Sequence, residues 1–269
     1  MLLEGAAMPA KPVPANSWNE FAQFCPQVYP ALRPACQELI RHVRDLDRAA
    51  ARRSRRPARL RVAFVGRFKT GKSRLINALL GHSVLPSDTD ECTAHLVMLY
   101  HRKQPRAFQW FSPVASRGKS WTRIWFDDFL ASVDATRPSR TRAASPDVLE
   151  RFLVGVPCEP LKGLCLMDTP GYDGTNAGSR ARADEAIKHA ARWAEVCVLV
   201  LSGPPTHDDV AVAARLRRHG SALAVVLNKS DKFDDEQLDD VRRCALGDLA
   251  DVHGRPPSWF LVSASAFLT

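Results

Sequence analysis

Residues Gly66-Arg67-Phe68-Lys69-Thr70-Gly71-Lys72-Ser73 constrain this chain more than any other stretch. They follow an apolar run, Val62-Ala63-Phe64-Val65, and precede a helical pattern, Arg74-Leu75-Ile76-Asn77-Ala78-Leu79-Leu80. G-x-x-x-x-G-K-S between a strand and a helix is a phosphate-binding loop with a physical mechanism. The glycines let the backbone close around a phosphate, and the N–H groups at the helix start point at the anion. Lys72 reaches β- and γ-phosphate oxygens, and the Ser73 hydroxyl is placed to ligate Mg²⁺.

Two later motifs narrow the ligand. Leu164-Cys165-Leu166-Met167 is a short apolar run ending in Asp168-Thr169-Pro170-Gly171. An acidic residue at the carboxyl end of a strand beside a phosphate loop orients Mg²⁺ through water, and the Gly171 N–H can contact a γ-phosphate. The run Leu223-Ala224-Val225-Val226-Leu227 ends in Asn228-Lys229-Ser230-Asp231. The Asp231 carboxylate matches the N1–H and exocyclic amine of guanine, a donor edge that adenine lacks. Lys229 is expected to lay its stem over the base, and Asn228 to tie this loop to residues 66–73. Ser263 and Ala264, after the last apolar run, are small enough to let a backbone N–H approach guanine O6. In GTPases a threonine in the loop before the second strand senses the γ-phosphate through Mg²⁺. Thr93, just before Ala94-His95-Leu96-Val97-Met98-Leu99-Tyr100, is preferred to Thr89 for that role.

Apolar runs alternate with amphipathic helical patterns, which predicts an α/β fold with a mostly parallel central sheet flanked by helices. Strands are expected near Leu60, at 94–100, 107–111, 164–167, 196–201, 223–227 and 259–262, and one at the end of 148–156. Helices are expected over 181–193, 208–219 and 236–252, with Gly81 ending the helix that begins after Gly71. Residues 101–150 are the least legible; a helix near 127–133 is expected, and Trp121, Ile124, Trp125, Phe126, Phe129 and Leu130 are read as the core of an insertion. At the amino end, 1–16 read as a flexible tail and 17–59 as a helical segment, in which Leu32, Cys36, Leu39, Ile40, Val43 and Leu46 form one stripe. The third unit is 60–269.

The length of 269 residues suits one large α/β domain with an appendage. No apolar run approaches the roughly 20 residues of a spanning helix, and Glu4 follows Met1-Leu2-Leu3 at once, so no secretory signal is expected. The 7 cysteines are scattered and never spaced C-x-x-C, which argues against a disulfide framework or zinc site and fits a reducing cytoplasm. The net charge of +9 owes much to Arg52-Arg53-Ser54-Arg55-Arg56. Such a cluster binds anionic lipid or nucleic acid, or simply ends a helix in solvent; the last is the plainer account.

The ordered set Gly66–Ser73, Thr93, Asp168–Gly171, Asn228–Asp231 and Ser263–Ala264 matches the five motifs of GTPases. It resembles the dynamin superfamily, bacterial dynamin-like proteins above all, through 66–81, Val84-Leu85-Pro86 leading to Cys92-Thr93-Ala94, and the long gap from Thr93 to Asp168. The resemblance spans about residues 60–269. It implies a Mg²⁺-dependent GTPase that converts GTP to GDP and dimerises through its nucleotide face. Gly66, Lys69, Thr70, Gly71, Lys72, Ser73 and Arg74 would hold the phosphates, and Ser73, Thr93 and Asp168 the metal. It further implies a cytoplasmic protein, peripheral at the inner face of a membrane. A helical stalk would be expected after the last strand; either this is a fragment or the stalk lies on a partner chain. Two departures stand out. Glu91 replaces a proline common in bacterial members, and Tyr172 stands where a Ras-like glutamine would follow D-T-P-G. Lys69 occupies the position similar to the arginine finger of guanylate-binding proteins, and a solvated loop lysine accounts for it equally. A GTP-dependent interaction module with little hydrolysis and a ribosome-associated GTPase are the alternatives, with nucleic acid the less favoured partner.

Overall fold

The computed structural model describes residues 59–81, 83–86, 95–110, 121–133, 150–174, 177–219, 221–253 and 257–264. The tail, the helical segment over 17–58, the cysteines at 25, 36 and 92, Thr89, Glu91 and Thr93 lie outside the described residues.

Nine strands among the described residues form one sheet. They are β1 (Leu60–Val65), β2 (Leu96–His101), β3 (Arg106–Trp110), β4 (Trp121–Ile124), β5 (Arg151–Val156), β6 (Leu164–Asp168), β7 (Val196–Leu201), β8 (Ala222–Leu227) and β9 (Ser258–Leu261). The order across the sheet is β4-β3-β5-β2-β6-β1-β7-β8-β9. From β6 to β9 every pairing is parallel, as expected for strands whose continuous apolar runs are buried on both faces. β2 reverses direction against β6 while β5 stays parallel to β2, and β3 and β4 complete an antiparallel edge.

Among the described residues five α-helices cover the faces: α1 (Lys72–Leu80), α2 (Phe126–Val133), α3 (Ala177–Trp193), α4 (His207–Arg218) and α5 (Asp235–His253). Alternate strand residues sort into two cores. Val62, Phe64, Val97, Leu99, Phe152 and Val154 meet Leu75 and Ile76 of α1 and Phe129 of α2. Ala63, Val65, Met98, Met167, Leu199 and Val225 meet α3, α4 and α5. The inward face of α3 carries Ala183, Ala186, Ala190 and Ala191, whose short side chains let its backbone lie close to the sheet.

Two features fix the turn after α1. Gly81 ends the helix in the left-handed conformation at φ 69°, its N–H returning to Ala78 O. Asn77, fully buried, then clamps the departing chain: its Nδ2 donates to Leu85 O at 2.7 Å, and its Oδ1 accepts from the Val84 and Leu85 N–H groups at 3.0 and 2.9 Å.

The insertion differs from expectation in detail. Trp121–Ile124 is an edge strand, and β3 starts and ends one residue earlier than its pattern suggests. Phe129 is core, whereas Trp125 is 77% exposed at the β4–α2 junction, so it is not a core aromatic. Cys158, Cys165 and Cys197 are buried apolar residues, and burial pushes their thiols up to about 11, 12 and 12.

Candidate nucleotide-binding site

Parallel register brings the motifs to one edge. Phe64 pairs with Asp168 and Leu201 with Leu227, so the loops after β1, β6 and β8 leave the sheet side by side. Ligands in open α/β sheets bind outside such carboxyl ends. Val97 lies opposite Asp168, so the chain enters the reversed strand β2 at this edge too.

The loop over residues 66–71 is packed too closely for a side chain at its two glycines. A Cβ on Gly66 would lie 2.4 Å from Val200 O, and one on Gly71, at φ 87°, 2.4 Å from Asn228 Nδ2. The buried Lys72 ammonium donates to Gly66 O at 3.0 Å and to Arg67 O at 2.8 Å. Thr70 Oγ1 donates to Arg67 O at 2.9 Å. Arg74, in the first turn of α1, is half-buried.

Burial lowers the Lys72 ammonium from 10.5 to about 8, with the carboxylates of Asp168 and Asp173 opposing the shift. A depressed lysine binds fewer protons folded than unfolded between about pH 8 and 10.5, so the cost of its buried charge, present below pH 8, is relieved as pH rises through that window. Phosphate oxygens would restore the proton. Nucleotide binding at pH 8.5 to 9 is therefore expected to take up a fraction of a proton, roughly half or more, seen by calorimetry in buffers of different ionisation enthalpy. Lys72→Met should abolish the uptake.

Beneath Lys72, Ser73 Oγ donates to Asp168 Oδ2 at 2.6 Å, both groups buried. A hydroxyl backed by a carboxylate is an all-oxygen donor set, which fits Mg²⁺ completed by phosphate and water rather than a softer metal.

At the other end of the loop Asn228, 1% exposed, joins three segments. Its Nδ2 donates to Thr70 O at 2.9 Å, and its Oδ1 accepts the Ala264 N–H at 3.1 Å. That N–H, one of the donors expected to approach guanine O6, is thus engaged by Asn228. Lys229 sits in the left-handed region at φ 61° and donates from Nζ to Lys69 O at 2.6 Å. Lys69 itself has φ 60°, with its ammonium 5.6 Å from the Phe68 ring centroid. Ser263 Oγ donates to the exposed carboxylate of Asp231. Lys69, Lys72, Ser73, Asp168, Asn228, Lys229, Asp231, Ser263 and Ala264 therefore gather at one edge.

Gly171 presses on the same loop, since a Cβ there would come within 2.6 Å of Phe68 N. The Phe68 N–H donates to the Asp173 carboxylate. Tyr172 turns away, its hydroxyl donating to the buried Asp209, which also pairs with Arg67 at 3.3 Å. Sequence reasoning missed Asp173, Asp209 and Arg67. The spacing of Thr206 and Asp209 is that of a capping box, which signals a helix start but not the further partners.

The Dynamin family model matches residues 62–230 of this sequence. The chain belongs to the dynamin family. Its dynamin-type GTPase domain is similar to Dynamin-like protein 2 of Campylobacter jejuni, at 25% identity over 67% of this chain and 27% of that protein. It is 32% identical to the bacterial dynamin-like protein of Nostoc punctiforme over 44% of this chain and 17% of that one. Isoniazid-induced protein IniC of Mycobacterium tuberculosis is also 32% identical, over 47% of this chain and 23% of its own length. The matched part thus spans about a quarter or less of these relatives. A solved structure described as an oligomerised bacterial dynamin pair, with a mechanism for long-range sensing and tethering of membranes, superposes with a TM-score of 0.56. It covers 94% of this chain and 45% of that one at 17% identity, a likeness of fold. Among the described residues no helix is long and apolar enough to cross a membrane.

Proposed function

We propose that this dynamin-family domain binds GTP with Mg²⁺, hydrolyses it to GDP and phosphate, and turns over fastest when two copies meet across their nucleotide faces. The convergence of Lys72, the Ser73–Asp168 pair and the Asn228–Asp231 loop on one sheet edge carries this reading.

Hydrolysis breaks the bond from the γ-phosphorus to the bridging oxygen and forms one from water, whose proton ends on phosphate; catalysis is positioning and charge neutralisation. Lys72 would exchange its two loop carbonyls for phosphate oxygens. Ser73, with Thr93 and Asp168, would hold Mg²⁺, which supplies neutralising charge to the β- and γ-oxygens. The Gly171 N–H would face the γ-phosphate. Lys69 is assigned to the β–γ bridge in the paired state; lacking the planar fork of arginine, it is a point charge. Asp231 would select guanine. By analogy with the membrane-tethering pair, the paired domains would act at the inner face of a membrane, with a stalk in cis or on a partner.

GTP turnover measured against protein concentration, with and without anionic liposomes, tests the reading. Turnover per molecule is expected to rise with concentration, and Lys69→Ala to flatten that rise by about 10-fold at the top of the range. Concentration-independent turnover with tight GTP binding would make the domain an interaction module instead. A Lys69→Ala variant as fast as wild type at high concentration would remove Lys69 from the mechanism.

A further inference from the structure

Asp209 has more partners than a helix cap needs. It is fully buried in the first turn of α4. Its Oδ2 accepts the Thr206 N–H at 2.7 Å and the Thr206 hydroxyl at 2.8 Å, completing a capping box. That alone satisfies the helix start. The same carboxylate also takes the Tyr172 hydroxyl on Oδ1 and lies 3.3 Å from Arg67 Nε. Arg67 is the second residue of the phosphate loop, and Tyr172 directly follows Asp168-Thr169-Pro170-Gly171. A buried carboxylate is stable only with hydrogen bonds and a counter-charge, and here the counter-charge and the hydrogen bond beyond the cap come from the two segments that would flank a γ-phosphate.

Resting on the GTPase reading above, we propose that Asp209 is a positioning residue that couples the phosphate loop to the segment after Asp168 through Arg67 and Tyr172. The coupling sets where the Gly171 N–H stands relative to the loop. Gly171 and Tyr172 are adjacent, so anchoring the tyrosine fixes the peptide between them. Close packing of Gly171 on Phe68 leaves that peptide little freedom to drift. Burial, and then the charge of Asp209, raise the Tyr172 phenol far above its ordinary range, so it remains a donor at any working pH. The residue after D-T-P-G is therefore used to hold the segment down, and its hydroxyl is turned to Asp209 rather than offered to a water.

The test uses Tyr172→Phe, Arg67→Met, Arg67→Lys and the Tyr172→Phe/Arg67→Met double variant in the full chain. Hydrogen exchange of a peptide covering 168–174 reads the coupling without GTP. Loss of either partner is expected to speed exchange there by about 10-fold while distant helices keep their protection. With GTP, kcat is expected to fall by about 10-fold and KM to stay within about 2-fold, because the loss is one of placement rather than of substrate contact. Arg67→Lys, keeping the charge, should recover part of kcat. The double variant should lose little more than either single one, since both act through Asp209. Multiplying losses, or a Tyr172→Phe variant with wild-type exchange and kcat, would overturn the proposal. Tyr172→Phe removes one oxygen and keeps the ring, so it decides the matter even if Arg67→Met fails to fold. If the wild-type chain binds no GTP, the GTPase reading falls, and the exchange data still judge the coupling.

Discussion

Gly71→Ala is expected to lower nucleotide affinity by about 100-fold or more and to destabilise the fold by about 3 to 5 kcal/mol, from the summed penalties of a left-handed residue and lost buried hydrogen bonds. At φ 87° any L side chain is strained. The added Cβ would stand 2.4 Å from Asn228 Nδ2, a contact that cannot persist. Asn228 has nowhere to retreat, because it is buried, donates to Thr70 O and accepts from the Ala264 N–H. Relief therefore means breaking the tether between the phosphate loop and the loop after β8, so both ends of the nucleotide site should loosen together. Titration with a fluorescent GDP analogue and thermal unfolding would measure the two losses. Gly203→Ala is the control: a Cβ there meets nothing within 4 Å, and both quantities should stay near wild type. If Gly71→Ala kept full affinity, the loop would not bind phosphate in the conformation described.

The candidate site was legible where the proposed chemistry would require particular residues at particular spacings. Lys72, Ser73, Asp168, Asn228 and Asp231 follow from what phosphate, a hard cation and guanine require. The central strands were legible because full burial leaves no polar position; Val196–Leu201 was expected with the bounds it has. Helix ends were less so: α3 begins at Ala177 rather than 181, although Asn176, a residue type favoured at a helix start, directly precedes it in a glycine-rich stretch. The reversal of β2 could not be read, because an apolar run is the same pattern in either direction. Nor could β4, a four-residue edge strand with Thr122 and Arg123 exposed and only Trp121 and Ile124 half-buried. Asn77 and Asp209 were missed for a further reason. Their roles lie in backbone groups and side chains brought near by the fold, and no local pattern records that.

Asp231→Asn is expected to change which nucleotide the site prefers while leaving the fold intact. The Asp231 carboxylate is exposed and its recorded partner is the Ser263 hydroxyl, which an amide oxygen can also accept, so stability should move by no more than about 0.5 kcal/mol. In the proposed reading guanine would present two donors to this carboxylate. An amide offers one oxygen and one NH₂, so the guanine amine would face a donor, and a charge-assisted pair would become a repulsive one. Hydrogen bonds to charged groups contribute about 1.5 to 3 kcal/mol each, which sets the loss of GTP affinity at roughly 100- to 1,000-fold. Xanthine keeps the N1–H and replaces the amine with a carbonyl. The asparagine oxygen and NH₂ match that edge, so XTP should bind the variant better than GTP does and the wild type worse. ATP should bind neither. Competition of GTP, XTP and ATP against a fluorescent nucleotide reads all of this in one experiment. Unchanged GTP preference in Asp231→Asn would mean that the carboxylate only clasps Ser263, and base selection would have to be sought elsewhere at this edge.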